Sequence, residues 1–297
     1  MPYGRHAVGC VETVTKSAGN RVLIYYPTNK KTDKKYKDML WAYDGDHMIK
    51  GLMKFAADLV PSGPFYHLLS VKQKVRVGAP IVKPTDDDKH EGKFIPIIMT
   101  HGVGNTMSWF STICKDFASQ GHIVFSMEHN DETALHFYND NNENKYYKQV
   151  DMRNINKFIQ KLGIRTRELD GLISELVGMT KNQLANDVEL DMTKLTIVGH
   201  GFGGTTAVTM ASKDYRIKKV LTFDPWLPPI KDEIENGDIK LKQAFCAINS
   251  EMFKNNVPDN EETINILCVT NKAKGNNLVS TLKDMGHLAF TDLPLIL

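Results

Sequence analysis

No stretch of this chain reaches the roughly 18 consecutive apolar residues that a membrane-crossing helix requires, although 41% of its 297 residues are apolar. The opening residues, MPYGRHAVGC, hold no apolar core of the kind a secretory leader uses, and Met1-Pro2 does not begin a myristoylation signal. Export and insertion find no support, so a cytoplasmic location is expected. Cysteine is scarce: Cys10, Cys114, Cys246 and Cys268 lie far apart, with neither a C-x-x-C pair nor the Cys/His spacing of a zinc site. Buried, reduced thiols are expected, with no disulfide framework and no catalytic cysteine. An excess of one charge is also missing. The 37 basic and 35 acidic residues leave a net +2, too little to draw nucleic acid or anionic lipid in general, so no nucleic-acid partner is expected. There are no internal repeats.

What is present is an alternation of apolar runs and amphipathic stretches. Val8 to Val14 and Arg21 to Tyr26 are rich in β-formers and are separated by Ser17-Ala18-Gly19-Asn20, which predicts an N-terminal hairpin at the antiparallel edge of a sheet. FIPIIMT (94–100) is continuously apolar, as strands covered on both faces are, and is expected to be the first central strand. The amphipathic stretch Ser108 to Gln120, the run His122 to Met127, and further runs at Leu195 to Val198 and Lys219 to Phe223 continue the alternation. Strand, helix, strand, helix implies an α/β fold with a doubly wound, mostly parallel sheet and helices on both faces. We read 1–297 as one domain of this kind, with polar insertions near 83–93 and 139–148. Asp151 to Gly178 carries Ile155, Phe158, Ile159, Leu162, Arg165, Leu169, Leu172, Ile173 and Leu176, mostly at helical steps, and predicts an amphipathic helix interrupted near Gly163. A second stripe, Met48, Ile49, Leu52, Met53, Ala56, Leu59 and Val60, is expected to pack into the core, the alternative being a patch facing lipid or a partner.

The chemistry concentrates in KLTIVGHGFGG (194–204), an apolar strand running into a glycine-rich turn. A nucleophile elbow, G-x-S-x-G, holds its central residue in a strained strand-to-helix turn that exposes the reactive oxygen. Gly199 and Gly203 take the flanking positions here, and Gly201 stands where the serine belongs. Glycine tolerates positive φ at no cost, so the turn is kept while the hydroxyl is lost. The other parts of an acyl-transfer site follow in hydrolase order. FIPIIMT ends in His101-Gly102-Val103-Gly104, a turn able to supply one oxyanion donor from Val103, the second coming from Phe202 after the elbow. KVLTF ends at Asp224, the expected acid, and Gly286-His287 lies near the C-terminal end of the sequence, in DMGHLAF. His101 and His200 are expected to support the site by hydrogen bonds, and Glu128-His129 is not expected to bind metal, because adjacent residues in extended chain point apart. Neither a cofactor nor a metal is expected.

With these motifs in place, the sequence resembles the platelet-activating factor acetylhydrolase family, the plasma and intracellular type II lipases of the α/β-hydrolase superfamily, whose elbow reads GHSFGG. AVGC, LIYYPT, FIPIIMTHGVG, DFASQGHIVFSMEHND, KLTIVGHGFGG, LTFDPWLPP, INSEMF and GHLAF carry the resemblance over most of the chain. It implies Asp224 and His287 as acid and base, Val103 and Phe202 as oxyanion donors, and Gly201 as the vacant nucleophile position. It also implies metal-free action on short or oxidised sn-2 acyl chains of phospholipids and peripheral contact with lipid surfaces through apolar helices. Two functions are expected. One is an inactive hydrolase fold kept as a binding or structural component of an intracellular, cytoskeletal or other assembly. The other is a still active serine-type ester hydrolase acting on an acetylated phospholipid or another short-acyl ester, with another nucleophile or with Gly201 an engineered departure.

Overall fold

Every side chain of Pro96–Thr100 is buried, as its unbroken apolar run requires, and this strand lies near the centre of a nine-stranded sheet. The computed structural model describes residues 3–29, 36–56, 63–82, 92–139, 141–257, 259–271 and 277–296. In chain order the strands are β1 (Ala7–Val14), β2 (Arg21–Thr28), β3 (Met39–Leu40), β4 (Lys72–Gln73), β5 (Arg76–Val77), β6 (Pro96–Thr100), β7 (Ile123–Met127), β8 (His136–Tyr138), β9 (Asn144–Tyr146), β10 (Thr196–His200), β11 (Lys219–Phe223), β12 (Ala244–Ser250) and β13 (Asn277–Leu282). The main sheet runs β13-β12-β11-β10-β6-β7-β2-β1-β5. β7, β6, β10, β11, β12 and β13 are parallel, whereas β2 joins β7 antiparallel and pairs with β1 from Ala7↔Thr28 to Val14↔Arg21. The expected N-terminal hairpin is therefore present, but the outermost position belongs to β5, which pairs with β1 in parallel at Gly9↔Arg76 and Cys10↔Val77.

Side chains alternate across the strands, so the sheet serves two cores. Ile98, Phe125 and Ile197 face a cluster with Phe158, Leu169, Leu172 and Leu176 of α3 (Ile155–Gln183) and Ala207 and Val208 of α4 (Phe202–Lys213). Ile97, Met99, Val124 and Val198 face the opposite way, toward Met48, Ile49 and Leu52 of α1 (Asp46–Phe55), Cys114 and Ala118 of α2 (Ser111–Ser119), and the stacked pair Trp41 and Trp109. The Met48 stripe thus packs inward over α1, while Lys50 and Lys54 stay exposed; Leu59 and Val60 lie outside the described residues. The remaining helices, α5 (Lys231–Glu235), α6 (Glu251–Asn256) and α7 (Asp259–Thr270), follow the later strands. Cys10 and Cys114 are buried, Cys246 and Cys268 half-buried, and all four are free thiols.

One expectation needs correction. α3 runs unbroken through Gly163 for 29 residues, because one missing side chain, costing about 1 kcal/mol of helix propensity, is outweighed by the packed stripe on either side; Ile159 of the expected stripe is exposed. The polar segment 139–148 carries a strand of its own. Its middle forms β9, which pairs with β8 from His136↔Tyr146 to Tyr138↔Asn144. Of the polar segment 83–93, residues 83–91 lie outside the described residues. No helix among the described residues is long and apolar enough to cross a membrane.

Candidate active site

β10 ends at His200, the chain reverses at Gly201 with φ 55° and ψ −119°, and α4 begins at Phe202. The turn is tight because its flanks touch backbone. A Cβ at Gly199 would come within 2.2 Å of the Gly203 carbonyl oxygen, and one at Gly203 within 2.2 Å of the Thr100 carbonyl oxygen. Such contacts admit only glycine at either flank. At Gly201 the obstacle is torsional, since a positive φ strains any L side chain. A Cβ there would point at His287, 3.2 Å from both Cε1 and Nε2.

Asp224 follows β11 with φ 45°, a strained value for a residue other than glycine, and hydrogen bonds fix it there. Its amide donates to the Ile248 carbonyl at 3.0 Å, and Ser250 donates to its carboxylate twice, from the backbone N–H and from Oγ, each at 2.6 Å. The remaining acceptor capacity of Oδ2 meets His287 Nδ1 at 3.0 Å. The His287 ring is held between His200 (centroids 4.1 Å apart) and Phe253 (4.6 Å). His200 is fully buried, and burial first, then the neighbouring His287, pushes its pKa well below the usual histidine value. Its Nε2–H donates to the His287 carbonyl at 3.0 Å. The sequence-derived Gly201, Asp224 and His287 are therefore brought together, with Nε2 the ring atom turned toward position 201. Ligand atoms of His200, Asp224 and His287 lie within 4.8 Å of one another. That proximity is close enough for a cation, but the hydrogen bonds among these groups already use Nδ1 of His287, Nε2 of His200 and both carboxylate oxygens.

Val103 and Phe202 line a cleft of about 620 Å³ together with Gly201 and His287. Among the described residues, their amides donate to no protein acceptor. The cleft walls are largely apolar, formed by Phe55, Tyr147, Trp226, Pro228, Phe253 and Val257, with Arg153, Asn256 and Asp259 also lining it. Thr205, the neighbouring hydroxyl, is buried, and its Oγ1 donates to the Trp226 carbonyl, away from the imidazole.

Behind the Val103 turn lies a buried polar network that sequence reasoning missed. Arg165 of α3, with no exposed side-chain surface, donates from Nε to Asp131 Oδ2 at 2.8 Å, from Nη1 to the His101 carbonyl at 2.6 Å and from Nη2 to Thr133 Oγ1 at 2.5 Å. Its guanidinium lies 4.7 Å from the Phe202 ring centroid, and the Thr133 carbonyl accepts the Gly104 amide at 2.8 Å. Arg165 thus ties the His101–Gly104 turn and Phe202, at the start of α4, to one helix. Its charge on an otherwise apolar helical stripe was the available signal. Ser250, the other missed residue, carries no such mark in sequence. His101 meets Glu128 Oε1 at 2.9 Å through Nε2, while His129 bonds Thr100 Oγ1 and Glu168 Oε2, so the adjacent Glu128 and His129 do serve different neighbours. Burial raises the Glu168 carboxyl to about 7 and drives His129 well below its usual value, since each loses hydration in the interior.

Burial pushes the Asp131 carboxyl upward, but the Arg165 charge more than offsets this and holds its pKa down to about 2. A depressed folded-state pKa stabilises above the unfolded value, near 4, and that stability is lost as pH falls toward 2. Thermal unfolding followed from pH 5 to pH 2 should show the advantage of wild type over Asp131→Asn shrinking by about 2 kcal/mol across that window. A constant difference would contradict the assignment.

The reversed N-terminal hairpin, the parallel sheet and the acid and histidine presented at strand ends define an α/β-hydrolase fold. A ferulic acid esterase from Streptomyces cinnamoneus shares it with a TM-score of 0.67 over 100% of this chain and 79% of that one, at 16% sequence identity. The family follows from the sequence: the model for platelet-activating factor acetylhydrolase, isoform II, matches residues 2–297, and the chain belongs to that family. Platelet-activating factor acetylhydrolase from Cavia porcellus is 27% identical over 275 residues, covering 84% of this chain and 60% of its own length. The Bos taurus protein is 27% identical over 279 residues with the same coverages, and the Gallus gallus protein 24% identical over 330 residues, covering 99% and 74%. The chain therefore spans about 60% of the length of the first two relatives.

Proposed function

We propose that this chain is a disarmed member of the acetylhydrolase family, retained for binding or as a component of an assembly and no longer turning over an ester. One observation carries the reading: position 201, whose Cβ direction leads to His287 Nε2 at 3.2 Å, holds no side chain. In a serine hydrolase with this layout, His287 would take the hydroxyl proton, Asp224 would hold the Nδ1–H tautomer, and the Val103 and Phe202 amides would stabilise the tetrahedral oxyanion. The first of these roles has no substrate group here. Thr205 does not replace it, because its hydroxyl is committed to the Trp226 carbonyl. Removing a serine triad costs about 10⁶ in kcat and leaves roughly 10³ to 10⁴ over water from the oxyanion donors and binding.

The test is direct. Wild-type protein should give no acyl burst and negligible turnover with p-nitrophenyl acetate or an acetylated phospholipid, and should resist covalent labelling by a fluorophosphonate. Labelling together with robust turnover would overturn the proposal in favour of an active ester hydrolase using another nucleophile.

A further inference from the structure

With no hydroxymethyl group at position 201, polar and apolar features of the cleft combine into a site that an active hydrolase of this layout would fill with its own side chain. The geometry points to a non-covalent binding site for a fatty acid, its carboxyl group in the space vacated at Gly201 and its chain along the apolar wall. This rests on the reading that position 201 is catalytically empty.

Two kinds of group face that space. The Val103 and Phe202 amides lack a protein acceptor among the described residues; Phe202 is buried and Val103 partly so, and a buried donor without a partner is costly. One carboxyl oxygen satisfies both. The second oxygen faces His287 Nε2, the ring atom that the Nδ1 contact with Asp224 leaves unoccupied, and one proton lies between them. A Cβ at Gly201 would stand 3.2 Å from Nε2, so the room for that oxygen exists only because residue 201 is glycine. An alcohol or an ester cannot match this: neither brings two oxygens with one proton to share.

Beyond the polar end, the cleft of about 620 Å³ is walled by Tyr147, Trp226, Pro228, Phe253 and Val257. Its size is that of a small-molecule pocket, and its lining is mostly apolar, with Arg153, Asn256 and Asp259 the polar residues outside the Gly201 end. Such a wall rewards an extended hydrocarbon. Each methylene buried there should tighten binding about fourfold.

Calorimetric titration of the full chain tests this with three soluble probes. Sodium decanoate is expected to bind saturably at one site, butanoate to bind far more weakly by the fourfold step per methylene, and decanol to bind at least about tenfold more weakly than decanoate for want of the charged hydrogen bonds. Val257→Asp, which places a carboxylate on the partly buried cleft wall, should abolish decanoate binding in protein kept well below its own, lowered unfolding temperature. Gly201→Ala should weaken decanoate by crowding the carboxyl position. Absence of decanoate binding, or decanol binding as tightly as decanoate, would overturn the inference. Fluorophosphonate labelling of wild type would instead overturn the disarmed-hydrolase reading, so the two failures are told apart.

Discussion

Gly201→Ser is expected to convert the chain into an esterase, raising p-nitrophenyl acetate turnover at least about a hundredfold and introducing fluorophosphonate labelling at position 201. The size follows from what is already built. Triad removal in a serine hydrolase costs about 10⁶ in kcat, and here every partner except the hydroxyl is placed. His287 Nε2 lies 3.2 Å from the Cβ position, and the Nδ1 side is held by Asp224 at 3.0 Å. The carboxylate needs no side chain at residue 201, because Ser250 holds its oxygens and the Ile248 carbonyl its amide. A serine Oγ, one bond further, falls within hydrogen-bond reach of the imidazole. The substitution also carries a cost: φ of 55° imposes roughly 1 to 3 kcal/mol of strain on an L residue, so the active variant should unfold at lower temperature than wild type. Asp224→Asn in the Gly201→Ser background should remove most of the gain, since it disturbs the imidazole tautomer. If Gly201→Ser folded and remained inert to both reagents, the inherited-site reading would fail.

Arg165→Met should be the most destabilising single change considered, by about 3 to 5 kcal/mol, equivalent for a chain of this length to a fall of about 5 to 8 °C in Tm. Methionine keeps the aliphatic volume but removes the donors to Asp131, the His101 carbonyl and Thr133. Asp131, fully buried, is then left charged without its partner, and an uncompensated buried charge is the costly outcome of breaking such a pair. The double variant Arg165→Met/Asp131→Leu should recover most of the loss, because it removes the stranded charge. Chemical denaturation of the two variants and wild type settles the point: a single variant within about 1 kcal/mol of wild type would show that Arg165 is not the anchor of the Val103 turn.

The central strands were legible because burial on both faces writes itself as mostly apolar sequence, as in PIIMT and IVFSM, while KVLTF, with Lys219 exposed, was marked by its place in the alternation. The flanks were harder to read. β13 is mostly exposed and β5 is two residues long, so neither carries a periodic signal. Gly163 misled because glycine weakens a helix on average, whereas neighbouring Leu162, Leu169 and Leu172 anchor this one to the sheet. In the site, Asp224 and His287 could be found since each ends or follows a recognisable segment in hydrolase order. Ser250 and the Arg165 network could not be placed. Their partners lie 26 and 34 positions away in sequence, and only the fold makes them neighbours.

The unbroken course of α3 has a mechanical meaning. Arg165 grips the turn beside the cleft, and about 15 Å further along the same rod, Glu175 accepts the Lys16 and Ser17 amides, each at 2.7 Å, at the tip of the outer hairpin. One helix, packed on the central strands along its length, therefore fastens both the tip of that hairpin and the turn behind the cleft.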